Sequence, residues 1–335
     1  MPFKDILGHT REIEIIKGAI LNKRVAHAYL FSGPEGIGKK KTALALASAL
    51  NCRSPQDDGD SCGSCPDCQR MERGNHANLV QVWPADKEGN RDDEAGLIRV
   101  NQIREIQNAV KYRVEGGARV VIVDSAERFM AQAANAFLKT LEEPPAGSMI
   151  ILITSRSSEL LPTVLSRCQR VNFRPLPSAA LRSFLIDEKG LPTEEAASVT
   201  KAAGGSISAA LRYLEAGADE KRKEVLMRLL AIAPGDADEA IKLAEELSKR
   251  DDIDEVLEFI KGWYRDMAVY MEGAKELVVN SDFANRFEVN DREYKELWNC
   301  FSMVEEAKRS IMPPRYANKQ LTLEALFLSI AGRFH

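Results

Sequence analysis

The 335-residue chain has no long apolar run. Its longest, Met149–Ile153, is far short of the roughly 20 residues that cross a bilayer. The first 25 residues carry Lys4, Asp5, Arg11, Glu12 and Glu14 and no apolar core, so no secretory leader is read. There is no excess of positive charge: the net charge is −4, whereas a protein that grips nucleic acid alone is usually basic. Local basic faces remain open. Histidine is scarce, and His9, His27, His76 and His335 form no triad or metal pair. No pair of carboxylates is placed for two-metal nucleotidyl transfer, which excludes a polymerase centre. Coiled-coil repeats and low-complexity tails are absent too. These absences point to a cytoplasmic protein with no membrane partner, in a reducing compartment. Its six cysteines then read as metal ligands or free thiols rather than disulfides.

What is present is ordinary in bulk and specific in detail. With 44% hydrophobic and 29% charged residues, 335 positions suffice for two or three domains with real cores. The organising stretch is His27 to Thr42. Ala28 to Ser32 reads as a buried strand, Gly33 to Gly38 as a glycine-rich turn, and Lys39 onward as a helix with Leu44, Ala47 and Leu50 on one face. Gly33, Gly36, Gly38 and Lys39 fit a phosphate-binding P-loop, in which backbone N–H groups and a helix N-terminus converge on phosphate oxygens. The residue after the lysine should be Ser or Thr, whose hydroxyl holds magnesium. Here it is Lys40, and Thr42 comes two residues too late. In the Lys39-Lys40-Lys41 run only Lys39 has a motif reason.

Cys52, Cys62, Cys65 and Cys68 follow, with two-residue gaps between the last three. This spacing suits tetrahedral thiolate coordination of a structural Zn2+. The insert around them is rich in Ser, Asp and Gly, and a metal would supply what burial cannot. A redox Cys-x-x-Cys and unrelated surface thiols are the other readings. A catalytic zinc is disfavoured, since four thiolates leave no open position. A zinc-dependent nucleic-acid module fits poorly with the charge balance and with few aromatics nearby.

Around these motifs the chain alternates strands and helices. Residues 3–24 read as an amphipathic helix, with Ile13, Ile16 and Ile20 on one face and Thr10 as its cap. Leu79–Trp83 is a second strand and residues 86–96 a solvated loop. A helix then presents Val100, Ile103, Ile106 and Val110. Arg119–Asp124 is an apolar strand of the kind buried in parallel sheets. Asp124 at its C-terminal end stands where ligands bind in open α/β sheets and where a magnesium-holding carboxylate belongs. A helix-capping Asp is the plain alternative. Residues 126–142 read as one helix, Met149–Ile153 as a central strand, and Val171–Phe173 as a fifth strand. Pro175 and Pro177 mark a boundary.

Together these stretches resemble the clamp-loader branch of the AAA+ family, whose members serve the bacterial DNA polymerase III holoenzyme. The resemblance rests on the P-loop unit, the cysteine insert, Val123-Asp124-Ser125-Ala126-Glu127, the run from Asn135 to Pro145, and Ser166-Arg167-Cys168. It covers about the first 215 residues by motif and the rest by architecture. It implies an α/β P-loop domain with a five-stranded parallel sheet at 1–176, carrying the 52–68 cysteine insert. A helical lid at 177–217 and a helical collar for oligomerisation at 218–335 follow. Lid helices are expected at Leu181–Glu188, Thr193–Ala203 and Ser206–Leu214. Collar stripes are expected at Ile253, Val256, Ile260, Trp263 and Met267 and from Leu321 to Ile330, with Met312–Tyr316 as a linker.

The resemblance also implies roles. Arg167 would be an arginine finger reaching the nucleotide of a neighbouring subunit, a device worth about 10³–10⁵ in rate. A surface ion pair is its plain alternative. Active relatives carry Glu where Ser125 stands, and tend to carry Arg where Ser208 stands. Glu127, two positions beyond Asp124, should point away unless the loop is unusual. With Lys40, these departures imply a subunit that is no enzyme on its own yet serves a DNA-directed polymerase holoenzyme. Gly33, Gly36, Gly38, Lys39 and Asp124 would form a nucleotide site, either vestigial or binding ATP and Mg2+ without turnover. The implied partners are motor subunits (tau/gamma) and a delta subunit in a hetero-oligomer. The sliding clamp and primer–template DNA would be met through that complex. An active ATPase motor of the same complex is the competing reading.

Overall fold

The computed structural model describes residues 1–93, 95–111, 116–215, 218–288, 292–313 and 315–332. Glu94, Gly217, Pro314 and His335, which belong to segments discussed above, lie outside the described residues. The chain divides into two compact units, residues 1–196 with 203–209 and residues 197–202 with 210–335.

The first unit is built on five parallel strands: β1 Ala28–Ser32, β2 Leu79–Val82, β3 Arg119–Val123, β4 Ser148–Thr154 and β5 Gln169–Asn172. Their order across the sheet is β2-β3-β4-β1-β5, the five-stranded sheet expected from the sequence. Side chains alternate between faces along a strand. Tyr29, Phe31, Ile122, Ile151 and Ile153 pack on one face with Ile16 of α1 (Thr10–Leu21) and with Ala43 and Leu46 of α2 (Lys39–Asn51). Pro66–Glu72 forms α3 in the cysteine insert, and its Met71 joins the same cluster. Leu30, Val121, Val123, Ile150 and Leu152 pack on the other face. There they meet Ile103 and Ile106 of α4 (Val100–Lys111) and Phe137 and Leu141 of α5 (Ala131–Glu142). Each fully buried side chain of this size contributes about 1.5–3 kcal/mol. Because all strands are parallel, their C-terminal ends share one edge, which carries the P-loop, Asp124 and Ser155.

Two expected helices are shorter than the sequence suggested. Residues 3–24 split into a single turn at Phe3–Asp5 and α1. Gly8 and His9 take left-handed backbone conformations between them, and His9 rather than Thr10 occupies the N-cap. Residues 126–142 split into a turn at Ala126–Arg128 and α5. The break at Phe129 arises because Ile98 pairs with this segment: Ile98 N–H donates to Arg128 O, and Met130 N–H donates to Ile98 O. That pairing lies 30 residues away in sequence and overrides the helical period.

The remaining helices of the first unit are α6 (Pro162–Leu165) and α7 (Ser178–Asp187); α8 (Thr193–Ala203) and α9 (Ile207–Tyr213) follow along the chain. The second unit contains α10 (Ala218–Leu230), α11 (Ala237–Ser248), α12 (Ile253–Met271), α13 (Ala284–Glu288), α14 (Tyr294–Ile311) and α15 (Lys319–Ala331). The expected stripe Ile253, Val256, Ile260, Trp263 and Met267 is buried in its core. On α15, Leu323, Leu326, Phe327 and Ile330 are buried, whereas Leu321 in the first turn is 64% exposed and does not belong to the core face. Asp266, fully buried, accepts from Val279 N, Asn280 N and Asn280 Nδ2 and pairs with Arg265, so α12 and the 278–282 segment are tied together by one carboxylate.

Candidate nucleotide site and cysteine cluster

The P-loop forms as its glycines require. Gly33, Gly36 and Gly38 all have positive φ, and a Cβ on Gly33 would meet the Phe173 carbonyl oxygen at 2.3 Å. The loop is held through its carbonyls. Those of Gly33 and Pro34 accept from Lys39 Nζ at 2.7 and 2.5 Å. Glu35 O accepts from Ser206 Oγ at 3.0 Å, and Gly36 O from Ser208 N at 3.2 Å. The Ile37 carbonyl lies 2.6 Å from His9 Nε2, and Gly38 O accepts from Thr42 N and Oγ1. By contrast, the N–H groups of Gly36, Gly38, Lys39 and Lys40 donate to no acceptor among the described residues. They remain donors without an acceptor beside the N-terminus of α2, groups of the kind that suit an anion.

Lys39 is only 6% exposed. Burial pulls its pKa down, against the opposing influence of Glu127, Glu35 and Asp124. Asp124 stands at the end of β3 as the sequence suggested, but it is already engaged: Lys40 Nζ donates to its Oδ2 at 2.9 Å. An ammonium thus sits against the carboxylate where a magnesium ion would. The Thr42 hydroxyl, turned back to Gly38 O, offers no replacement ligand. Asp124, approached by an ammonium that is itself a cation with no lone pair, does not fit a divalent metal.

Ser125 is in a left-handed conformation, and its N–H donates to Asp124 Oδ1. This unusual turn sends Glu127 into a buried position. Its Oε1 accepts from Ser155 Oγ at 2.6 Å and from Ser155 N, and its Oε2 has no partner among the described residues. Ser208 packs on the P-loop: a Cβ on Gly36 would lie 2.5 Å from Ser208 Cβ and from Ser206 Oγ. Arg167 lies just beyond α6. Its Nη2 pairs with Glu142 Oε1 at 2.5 Å and its Nη1 donates to Thr163 O at 2.9 Å, with the side chain one-third exposed. In this chain the guanidinium rests on a surface carboxylate, an arrangement worth about 0–1 kcal/mol and readily exchanged.

Sequence reasoning missed the Lys40–Asp124 pair, the His9 contact and the seating of Ser206 and Ser208 on the loop. A signal for the first existed: a lysine in place of the metal hydroxyl puts a cation where a cation is needed.

The four cysteines come together, their sulfurs all within 4.8 Å of one another. Zinc–sulfur bonds of about 2.3 Å place tetrahedral sulfurs about 3.8 Å apart, and Cys62 and Cys68 are already 3.9 Å apart. The chain turns around them through N–H···S bonds from Cys62 to Cys52, Cys65 to Cys62 and Cys68 to Cys65. Donation from the N–H groups of Cys65 and Ser64 lowers the Cys62 pKa to about 6, while burial pushes Cys68 up to about 12. His76 borders the insert beside Asp67 at 3.5 Å and is not among the clustered ligands. The cluster can hold a metal ion. No helix of the described residues is long and apolar enough to cross a membrane.

Residues 8–177 match the family described as "DNA polymerase III, delta subunit", and residues 216–332 match its C-terminal counterpart. The chain is 38% identical to the DNA polymerase III subunit delta' of Pseudomonas aeruginosa over 60% of each chain. It is 32% identical to the DNA polymerase III subunit tau of Bacillus subtilis, over 64% of this chain and 37% of that one. It therefore spans less than two thirds of the length of these curated relatives. A solved gamma subunit-related protein from Thermotoga maritima is 21% identical, with a TM-score of 0.44 over 96% of this chain and 98% of that one. Through the match over its first half and a second match over its helical end, the chain belongs to the DNA polymerase III delta-subunit family.

Proposed function

We propose that this chain is a clamp-loader subunit of DNA polymerase III that does not hydrolyse ATP itself and lends Arg167 to a neighbouring ATPase. The observation that carries the reading is the Lys40–Asp124 ion pair, which fills the place of the catalytic metal. Ser125 in place of a Glu removes a general base in the same site. Arg167 supports the second half of the reading: it is partly exposed and weakly held, and its planar fork suits two phosphate oxygens. Its partners would be tau/gamma motor subunits and a delta subunit in a cytoplasmic hetero-oligomer. The sliding clamp and primer–template DNA would be met through that complex, by backbone contacts. Within the chain, 1–176 would serve as the P-loop domain, 177–217 as a lid and 218–335 as a collar. The cysteine cluster would hold a structural zinc.

The test is ATP hydrolysis by the isolated chain and by the reconstituted complex carrying either wild-type Arg167 or Arg167→Ala. The reading expects no turnover alone and a loss of about 10³ or more at one neighbouring site with the variant. Turnover by the isolated chain at motor rates would instead favour an active ATPase. The similarity to a tau subunit, and a buried Glu127 within electrostatic reach of Lys39, give that second reading its footing.

A further inference from the structure

The disagreement between this P-loop and a divalent metal has a consequence for what the loop can take. We propose that Lys40 serves as a built-in counter-cation, so that the loop accepts the phosphate chain of a nucleotide without magnesium. The inference rests on the reading of the site as non-hydrolysing, and it specifies how that site is filled.

Three observations carry it. First, the Lys40 ammonium lies 2.9 Å from Asp124 Oδ2, and Thr42, the next hydroxyl along the helix, is committed to Gly38 O. A magnesium ion needs near-octahedral oxygen ligands and would have to displace a like charge to reach Asp124. Secondly, the loop is pre-formed, with its carbonyls already engaged by Lys39, Ser206, Ser208, His9 and Thr42. The N–H groups of Gly36, Gly38, Lys39 and Lys40 are left without acceptors among the described residues. Thirdly, Lys39 is almost wholly buried and held on the carbonyls of Gly33 and Pro34. A phosphate oxygen is a far better partner for an ammonium than a neutral carbonyl. Lys39 is the lysine that an ordinary P-loop also has; the Lys40 ammonium adds one of the two positive charges that a metal ion would bring there. Asp124 holds that ammonium in position. What Lys40 does not supply is a metal's polarising contact to the β- and γ-phosphates, so binding of this kind goes without turnover.

The experiment is calorimetric titration of the full chain with ATP, in excess EDTA and in excess magnesium, for the wild type and for Lys40→Thr. Wild-type affinity is expected to agree within about two-fold between the two buffers. Lys40→Thr, which restores a hydroxyl ligand and removes the cation, is expected to bind at least about ten-fold more weakly in EDTA than in magnesium. Circular dichroism establishes that the variant is folded. Should it not fold, Lys40→Gln is expected to lose binding in EDTA by a similar factor, with no recovery in magnesium. A wild type that needs magnesium, or one that binds ATP in neither buffer, overturns the proposal, as does a Lys40→Thr variant with unchanged affinity in EDTA. Phosphate release is measured in the same samples. Turnover there would overturn the non-hydrolysing reading, whereas metal-dependent or undetectable binding without turnover would overturn the role of Lys40 alone.

Discussion

Asp60 offers the sharpest test of how the cysteine insert is joined to the P-loop unit. Only 3% of it is exposed. Its Oδ1 accepts from Phe3 N at 2.8 Å and from Ser61 N at 2.7 Å, and its Oδ2 from Lys4 N at 3.2 Å. Phe3, itself buried, packs into the sheet core with Ile16 and Leu46, so one carboxylate ties the insert to the first turn of the chain. Replacing Asp60 by Ala strands two buried N–H groups and one partly buried one. At about 1–3 kcal/mol for each buried orphan, less what entering water returns, the expected cost is about 2–4 kcal/mol. Asp60→Asn keeps an acceptor for Phe3 and Ser61 and should cost about 1 kcal/mol. A chain of two units need not unfold in one step, so a local probe is required. Amide hydrogen exchange resolved by mass spectrometry provides it. In Asp60→Ala the amides of residues 3–6 and 52–68 should lose protection together, while β1 and β4 keep theirs. Adding a chelator to the variant should cost less than the sum of the two separate effects, because both loosen the same junction. Unchanged protection of residues 3–6 in Asp60→Ala, or full additivity with the chelator, would refute the idea that this side chain links the two.

Other perturbations separate the remaining contacts. Glu142→Ala removes an exposed partner of Arg167 and should change stability by less than about 1 kcal/mol in denaturant titration; a larger loss would mean that the guanidinium is a structural pin. Asp266→Ala leaves Asn280 and neighbouring backbone amides unpaired inside the second unit, and should cost about 3–5 kcal/mol by urea unfolding followed through Trp263, whose ring packs on Phe283 and Phe287. Metal uptake by the cysteines should release protons below four per ion at pH 8. N–H donation keeps Cys62 low, at about 6, so it is already a thiolate, whereas Cys68, held at about 12 by burial, must lose its proton on binding. The sign for retention follows: every thiol still protonated in the free chain, Cys68 above all, must lose its proton on binding, so affinity should rise with pH, and loss of the metal on acidification should steepen as pH falls through about 6, where Cys62 takes up a proton as well. Titration with a pH indicator and a zinc-binding dye reads both, and release of four protons per ion at pH 8 would contradict the assignment.

Much of the P-loop unit was legible because its signals are local. Glycine at 33, 36 and 38 answers to backbone conformations that other residues avoid, and the apolar strands Ala28–Ser32 and Arg119–Val123 announce burial on both faces. The cysteine spacing foretold the cluster for the same reason, since its turns are made by near neighbours in sequence. Errors arose where distant segments compete with local preference. Ile98 draws Phe129 out of the helix that its period suggested, and Leu176 crowds the backbone at Gly8, where the expected 3–24 helix breaks.

The residue types alone therefore determined that this chain has a parallel α/β core, a phosphate-type loop without its metal hydroxyl, and a four-thiolate insert. Only the folded chain decided that Lys40 reaches across to Asp124, 84 residues on, and that Glu127 turns inward onto Ser155. The same holds for Arg167, which rests on Glu142. Pattern and spacing report what a residue can do with its neighbours along the chain. Which charges meet is settled by the register of strands far apart in sequence, and no local rule carries that information.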